Sequence, residues 1–528
     1  MIKEKRQSFV HGAAVLAAAG IAVKVIGALY KIPLGAILGP VGMANFSISY
    51  NIYALLFVLS TAGVPSAVSK LISEASAQGE NGQMYRIYKI SYLTFSLVGF
   101  FGFSVMFFGA DFFAKLMGSS DAAASIRAIS PAVLFVSMSA INRGYFQGRS
   151  NMYPTAVSEV LEALGKLAVG LVLALYLKRR GMGDGAVAAG AVFGVSAGAF
   201  FSTVYFSFCR DNIRCRQAPS NRRKRAILKE LIGLAVPITL GAAVISLTNV
   251  IDSAIVLNLL RKSGFSEYSA KWLYGSYNYA ATVFNLPSAL ITTLGVSLIP
   301  AISGAFVKRD YISVDRIAGS GMSVGMMISI PAACGIAALS YGILHLLYGM
   351  SVEPECIKAS AHMLTCLSLA VVPLSLVTLT NSVHQALGRP NVPVMSMLAG
   401  AAVKIVSNLI LVRRVDINIY GAAISTVLCY VTIAILNIAQ LKKYPFIDIS
   451  ILRIFGGPVF SGVVTFVSSR VLMDVLSVTF SLQISTILSV FGGVFACLAC
   501  TFVTLAMGGE EEKFLFHGKN IFKFFNND

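Results

Sequence analysis

Long apolar runs, broken by short polar and basic stretches, set the pattern of this chain from end to end. Fourteen such runs can be marked, at about 10–36, 44–69, 89–110, 126–147, 154–177, 185–208, 231–260, 274–304, 319–347, 360–384, 393–412, 419–440, 453–474 and 483–507. Each has roughly the 20 residues that a helix needs to cross the hydrocarbon of a bilayer. None shows the short alternation of a transmembrane β-barrel strand. Helix is then the conformer that satisfies every backbone polar group inside lipid. The pattern predicts an all-α polytopic membrane protein with about 14 transmembrane helices.

Composition supports that class. Of 528 residues, 56% are hydrophobic and 12% charged, and the mean hydropathy is +0.77. A soluble domain carries about 25% charged residues, so a cytosolic enzyme, a disulfide-rich secreted scaffold and a disordered chain are excluded. The formal charge of +19 would suggest nucleic acid on a soluble chain. Here the basic residues sit mostly in short loops, and the positive-inside rule accounts for them without a nucleic-acid partner. With the N-terminus inside, the cytoplasmic segments hold more than twice as many Lys and Arg as the opposite loops. Both ends are expected to be cytoplasmic. Lys178-Arg179-Arg180 and Arg413-Arg414 run against the rule.

Lys3, Lys5 and Arg6 resemble the start of a secretion signal, but the apolar stretch runs on to Leu38, so the first helix is expected to stay as an anchor. The tail, 509–528, interleaves Phe with Lys and reads as an interfacial amphipathic segment or a disordered end. A zinc site needs about four ligands within reach. The eight Cys do not supply such a set, the Cys497-x-x-Cys500 pair included. They read as packing residues or free thiols, and neither a metal nor a cofactor is expected. No phosphate-binding loop, zinc-helix motif or nucleophile elbow stands out, so the chain is not expected to be an enzyme.

A weak internal repeat organises the chain. Gly148-Arg149-Ser150-Asn151 with Pro154 matches Gly388-Arg389-Pro390-Asn391 with Pro393, at an offset of 240 residues. Each copy follows a helix that opens near a Pro (Pro131, Pro373) and precedes a helix with one buried Lys (Lys166, Lys404). An even number of helices separates the copies, which predicts two parallel six-helix lobes. These would be an N-terminal lobe (1–208), a basic linker (209–230), a C-terminal lobe (231–441), two extra helices (442–508) and a cytoplasmic tail (509–528).

Charged and polar residues inside the runs are the candidates for chemistry. A Lys at a helix centre costs about 2.5–3.5 kcal/mol on insertion scales, so it faces protein, water or a partner. Lys24 and Lys31 are seven apart and share a face of the first helix. Either they serve a cavity, or Lys24 pairs with a carboxylate and Lys31 snorkels to headgroups. Glu159, Glu162 and Lys166 fall on one face of the fifth helix, with Glu162 and Lys166 at the favourable i,i+4 spacing. They form either a neutralised structural stripe or a titratable site that couples transport to H+ or Na+. Ser246, Asn249, Asp252 and Ser253, then Tyr274, Asn278, Thr282 and Asn285, then Lys404, Ser407 and Asn408 make polar stripes. Interhelical hydrogen bonds and a hydrophilic cavity are the two readings of them. Arg143, Arg149 and Arg389 sit near the cytoplasmic ends of their helices, as loop caps or as a cytoplasmic gate able to hold phosphate.

The segment Arg143-Gly144-Tyr145-Phe146-Gln147-Gly148-Arg149-Ser150-Asn151-Met152-x-Pro154, continuing through Ser158-Glu159-Val160-Leu161-Glu162, resembles stage V sporulation protein B and the related polysaccharide-biosynthesis flippases. Ala62-Gly63-Val64-Pro65-x-Ala67-Val68-Ser69-Lys70-Leu71-Ile72-Ser73-Glu74 and Lys24-Val25-Ile26-Gly27 are similar to the same group. It belongs to the multidrug/oligosaccharidyl-lipid/polysaccharide exporter superfamily. The resemblance implies two lobes in a V, alternating access, and transfer of an undecaprenyl-diphosphate-linked saccharide, a lipid II-like wall or spore-cortex precursor. It also implies that Lys24 and Lys31 line the cavity. The second and eighth runs lack the Lys or Arg found in lipid II flippases of the superfamily. Lys166, Lys404, Asn249, Asp252, Asn278 and Asn285 complete the expected substrate-binding set. The lipid-linked saccharide and the bilayer are the expected partners, together with cell-wall synthesis proteins. A H+- or Na+-coupled multidrug exporter is the competing reading, favoured by Glu159 and Glu162. A membrane scaffold that transports nothing is the third.

Overall fold

The computed structural model describes residues 9–209, 223–447 and 451–507. Lys3, Lys5 and Arg6, most of the basic loop (210–222) and the 509–528 tail lie outside the described residues. Within them the chain is helical, with no strand. The helices are α1 (Phe9–Thr61), α2 (Val64–Ala77), α3 (Asn81–Phe108), α4 (Ala110–Leu116), α5 (Ala122–Gly148), α6 (Tyr153–Arg179), α7 (Asp184–Phe208), α8 (Lys224–Lys262), α9 (Glu267–Val307), α10 (Tyr311–Tyr348), α11 (Pro354–Ala386), α12 (Asn391–Leu411), α13 (Tyr420–Leu441), α14 (Ile451–Thr479) and α15 (Leu482–Met507).

Twelve stretches among the described residues are long and apolar enough to cross a membrane. The first of them, Ala18–Ala77, carries two of the expected runs, and the run at 231–260 lies on α8. Every expected run therefore falls on a helix, and the protein is a multi-pass membrane protein. Phe100, Phe101 and Phe108 of α3 and Phe491, Phe495 and Phe502 of α15 are exposed, as side chains solvated by acyl chains should be.

α1 holds two runs because it is bent. Gly39 has φ 69° inside the helix, and Pro40, which has no N–H to donate, follows it. A straight helix would hold residues 30 and 46 about 24 Å apart, yet the rings of Tyr30 and Phe46 lie 6.2 Å apart. The chain therefore turns sharply back at Gly39-Pro40. The ammonium of Lys178 donates to the carbonyl of Ile37 beside this bend. That contact gives one of the rule-breaking basic residues a structural task.

Contacts divide the chain into two units, 1–275 and 276–528. In the first, α7 packs on α6 and α5, α5 packs on α3 and α2, and α1 lies against α5, α6, α7 and α8. The α2–α5 contact uses the two segments of the family resemblance. A Cβ at Gly144 would stand 2.8 Å from the Pro65 carbonyl, and one at Gly148 would stand 2.6 Å from that of Ser69. By contact α8 goes with this unit, whereas the sequence began a second lobe at residue 231. In the second unit α10 packs on α11 and α14, α12 on α13, and α14 on α15. Asn437 ties α13 to α11 there. Its side-chain amide donates to Thr380 Oγ1 (3.1 Å) and Asn381 Oδ1 (2.8 Å), and its backbone carbonyl lies 3.2 Å from His384 Nε2.

Both copies of the repeated motif form the turn between two consecutive helices, α5–α6 and α11–α12. Their left-handed residues differ, Ser150 in one and Gly388 in the other. The motifs thus share a place in the chain but not one turn geometry.

Candidate functional site

A cavity of about 460 Å³ opens in the first unit between α1, α5, α6 and α7. Its wall is aromatic on the α1 side, where Tyr50, Tyr53 and Phe57 follow one another with ring centroids 5.7 Å apart. Its charged groups are Arg143 from α5 and Glu159, Glu162 and Lys166 from α6. The two cations and two carboxylates balance.

Each charged group is held differently. Arg143 Nη2 lies 2.7 Å from Glu162 Oε2, and the two side chains are 14% and 24% exposed. Arg143 Nε also donates to Ser158 Oγ at 3.0 Å, and Nη2 reaches Ser202 Oγ at 3.4 Å. This guanidinium therefore joins α5, α6 and α7. Lys166 does not take Glu162 as its ion-pair partner. Its ammonium sits over the rings of Tyr30 and Tyr50, at 4.8 and 5.2 Å from their centroids. A cation over an aromatic face is stabilised by the ring quadrupole without being neutralised. Lys166 makes no ion pair among the described residues. Glu159 is half-buried in the wall, with no hydrogen bond or ion pair among the described residues.

Local sequence explains this arrangement. On α7, Gly190, Gly194 and Gly198 recur every four residues and face α6. A Cβ at Gly198 would stand 2.2 Å from the Glu162 carbonyl, and one at Gly194 would stand 2.5 Å from the Gly170 Cα. Gly170 in turn leaves room for the Tyr30 ring, 2.9 Å from where its Cβ would be. Tyr30 is fixed by its hydroxyl, which donates to the Ala191 carbonyl at 2.9 Å. The backbones of α6 and α7 thus meet closely, and Tyr30 is wedged under Lys166.

The expected site residues divide between the two units. Lys166, Glu159, Glu162 and Arg143 meet in the cavity. Arg143, expected at a cytoplasmic gate, lies in the cavity wall instead, because its side chain reaches α6 and α7. Lys24 and Lys31 do not line it, although Val23, Ile26, Gly27 and Tyr30 of the same helix do. Lys24 is exposed, and Lys31 is half-buried within electrostatic reach of Lys166. Asn249 is exposed and Asp252 buried on α8. Their neighbour Ser253 takes hydrogen bonds from Asn51 (2.6 Å) and Tyr274 (2.7 Å), so part of that stripe is interhelical glue. Asn278, Asn285 and Lys404 belong to the second unit. The Asn285 amide donates to the Ala281 carbonyl of its own helix. Arg149 and Arg389 lie over the rings of Tyr145 (5.8 Å) and Tyr444 (5.2 Å), at the loop ends of their helices.

The sequence reading missed Tyr30, Tyr50, Tyr53 and the α7 glycines. A visible signal existed for the glycines, since Gly-x-x-x-Gly-x-x-x-Gly marks a close helix contact in membranes. Against the expectation of no nucleophile elbow, the chain does carry two Gly-x-Ser-x-Gly strings, at 194–198 and 321–325. Both lie inside helices, not on a strand-to-helix elbow, and Ser196 Oγ donates to the Ala128 carbonyl. Among the described residues no three His, Cys, Asp or Glu side chains gather as metal ligands, and seven Cys are free thiols, with Cys215 outside that set.

Comparison with known proteins places this architecture. The chain is 27% identical to stage V sporulation protein B of Bacillus subtilis, over 84% of this chain and 86% of that protein. It is 26% identical to the lipid II flippase MurJ of Bacillus subtilis, over 80% of each. A solved structure of the lipid II flippase MurJ in an inward closed conformation superposes with a TM-score of 0.71 at 14% identity, covering 94% of this chain and 99% of that one. Residues 9–306, more than half the length, match the family described as polysaccharide biosynthesis protein, and on that match the chain belongs to the polysaccharide biosynthesis protein family.

Proposed function

We propose that this protein is a flippase that carries an undecaprenyl-diphosphate-linked saccharide, a lipid II-like precursor of wall or spore cortex, across the bacterial cytoplasmic membrane by alternating access. It acts as a transporter and not as an enzyme. Both ends lie in the cytoplasm, and lobes 1–208 and 231–441 alternate about the 209–230 linker. The names of the similar proteins and the family match over residues 9–306 support the class. The observation that carries the chemistry is Lys166, an ammonium in a membrane-embedded cavity whose partners are aromatic faces instead of carboxylates.

A diphosphate head cannot enter hydrocarbon unaided. A hydrated cavity with a cation left unneutralised replaces part of the solvation that the head gives up. Tyr50, Tyr53 and Phe57 offer flat apolar faces of the kind that pack against sugar rings. Arg143 becomes a second anion ligand when Glu162 releases it. Lys24 and Lys31, on the helix that lines the cavity, guide the head toward it. The isoprenoid tail stays in lipid throughout. Glu159 and Glu162 are the groups that bind the coupling ion, H+ or Na+. A cation-coupled drug exporter is the second reading, favoured by the Glu159 carboxylate, which makes no hydrogen bond among the described residues.

The test is depletion of endogenous flippase activity in a Gram-positive host that expresses this protein, followed by labelling of outward-facing lipid-linked precursor. Restored labelling is expected. Unrestored labelling with the protein well inserted, together with efflux of organic cations, would replace the flippase by the exporter.

A further inference from the structure

An ion cluster built on one buried lysine pins one end of the first unit, the end that the Lys and Arg distribution puts outside. Lys271, in the second turn of α9, has a side chain only 3% exposed. Its ammonium lies 2.8 Å from Asp121 Oδ2, at the start of α5, and 2.8 Å from Glu267 Oε1. Glu267 Oε1 also accepts from the Ser120 backbone N–H (3.2 Å) and hydroxyl (3.1 Å).

Further bonds join the same elements. Asn258 Nδ2 donates to the Leu116 carbonyl (2.9 Å) and Arg261 to that of Gly118 (3.5 Å), while Ser119 Oγ donates to Asn45 Oδ1 (2.8 Å). At this end α9 also presses on the bend of α1. A Cβ at Gly275 would stand 1.8 Å from the Pro40 carbonyl.

Apart from the Glu267–Lys271 pair, these ion pairs and hydrogen bonds cross between elements. Most join the α8–α9 hairpin to the α4–α5 loop. Alternating access requires the cavity to open to this side at some stage, and an opening between the α8–α9 hairpin and the α4–α5 loop would part these bonds. A buried ion pair is close to neutral overall, because attraction only offsets desolvation. Asp121 is already 61% exposed, so parting rehydrates one ammonium and leaves the carboxylates in water. Such a cluster holds the closed state by a modest margin, enough to bias the gate several-fold, and opens without a large net cost.

We propose that Lys271, with Asp121 and Glu267, is the latch of an outer gate that opens once per transport cycle. Lys271 is a positioning residue: it sets which side the cavity faces and does not touch cargo. The inference rests on the flippase reading for the identity of the cargo, and the gate is measured without any cargo.

The experiment uses full-length protein in intact cells, with native cysteines replaced by serine and Ala54→Cys placed in the cavity wall. A membrane-impermeant thiol reagent is added outside. Lys271→Met is expected to raise labelling several-fold, and Lys271→Arg to restore it toward the parent value. Unchanged labelling in well-inserted Lys271→Met overturns the latch. In a second chain, Asp121→Cys and Lys271→Cys are bridged by a short bis-methanethiosulfonate linker. Bridging is expected to abolish outside labelling of the cavity thiol and to stop transport, and reductant to restore both. Full bridging without loss of labelling overturns the proposal, even if Lys271→Met fails to insert. If bridging controls labelling while the parent chain moves no lipid-linked precursor, the latch stands and the flippase reading falls.

Discussion

The Arg143–Glu162 pair can be weighed by a double-mutant cycle with Arg143→Met, Glu162→Gln and both together. Opposite charges about 4 Å apart at an effective dielectric of about 20 attract by roughly 4 kcal/mol. Most of that gain is returned as desolvation, because these side chains are only 14% and 24% exposed. Breaking a fully buried pair costs about 3–5 kcal/mol. Here the orphaned group faces a cavity that water can enter, so each single change is expected to cost less, about 2 kcal/mol. Arg143→Met also leaves Ser158 Oγ without its guanidinium donor, so it should be the more damaging of the two. The double variant should lose about as much as one single variant, giving a coupling of about 1–2 kcal/mol, within the range for side chains in one network. Equilibrium unfolding of purified protein in mixed micelles, titrated with SDS, supplies the four free energies. Strictly additive losses would show that the pair carries no coupling, and that Arg143 and Glu162 are separately solvated by the cavity.

Three further outcomes follow from the geometry. Lys166→Met is expected to abolish transport of lipid-linked precursor while insertion is kept, and Lys166→Arg to keep part of it, since a guanidinium also stacks on Tyr30 and Tyr50; equal activity of Lys166→Met and parent in the labelling assay would remove Lys166 from the site. Gly198→Val must push α6 off α7 by about 1 Å and should cost about 1–3 kcal/mol by overpacking, with loss of transport, whereas Gly20→Val, where a Cβ meets nothing within 4 Å, should be silent; SDS titration of both separates them. At the head of α10, hydrogen bonds from Ser313 hold the exposed Asp310 carboxyl below its ordinary range. Its stabilising effect is therefore present above the ordinary carboxylate pKa near 4 and is lost as pH falls through the lowered value, so amide exchange at Ser313, corrected for intrinsic pH dependence, should speed up at acid pH in the parent and be fast at all pH values in Asp310→Ala.

The helices were legible because a bilayer imposes a length and a polarity on anything that crosses it, and both are written along the chain. Azimuth and reach are not written there. Arg143 stands five positions before the end of α5, so distance along the sequence assigned it to the cytoplasmic end of its helix as a cap or gate residue, yet a guanidinium on a long stem turns inward once α6 and α7 pass close by. Glu162 and Lys166 were paired by their i,i+4 spacing, a rule for an isolated helix. That rule gives way when a neighbouring element offers each charge something else, Arg143 for one and two tyrosine faces for the other. Tyr30 and Tyr50 flank Lys166 only because α1 turns back at Gly39-Pro40, and Gly-Pro in an apolar run marks a break without giving its angle. The glycines of α7 did carry the missing fact. Three of them at four-residue spacing say that another backbone lies against that face, and the helix in contact is the one bearing Glu159, Glu162 and Lys166. A buried charge is therefore best read together with the small residues opposite it, since those decide whether its side chain has room to point inward.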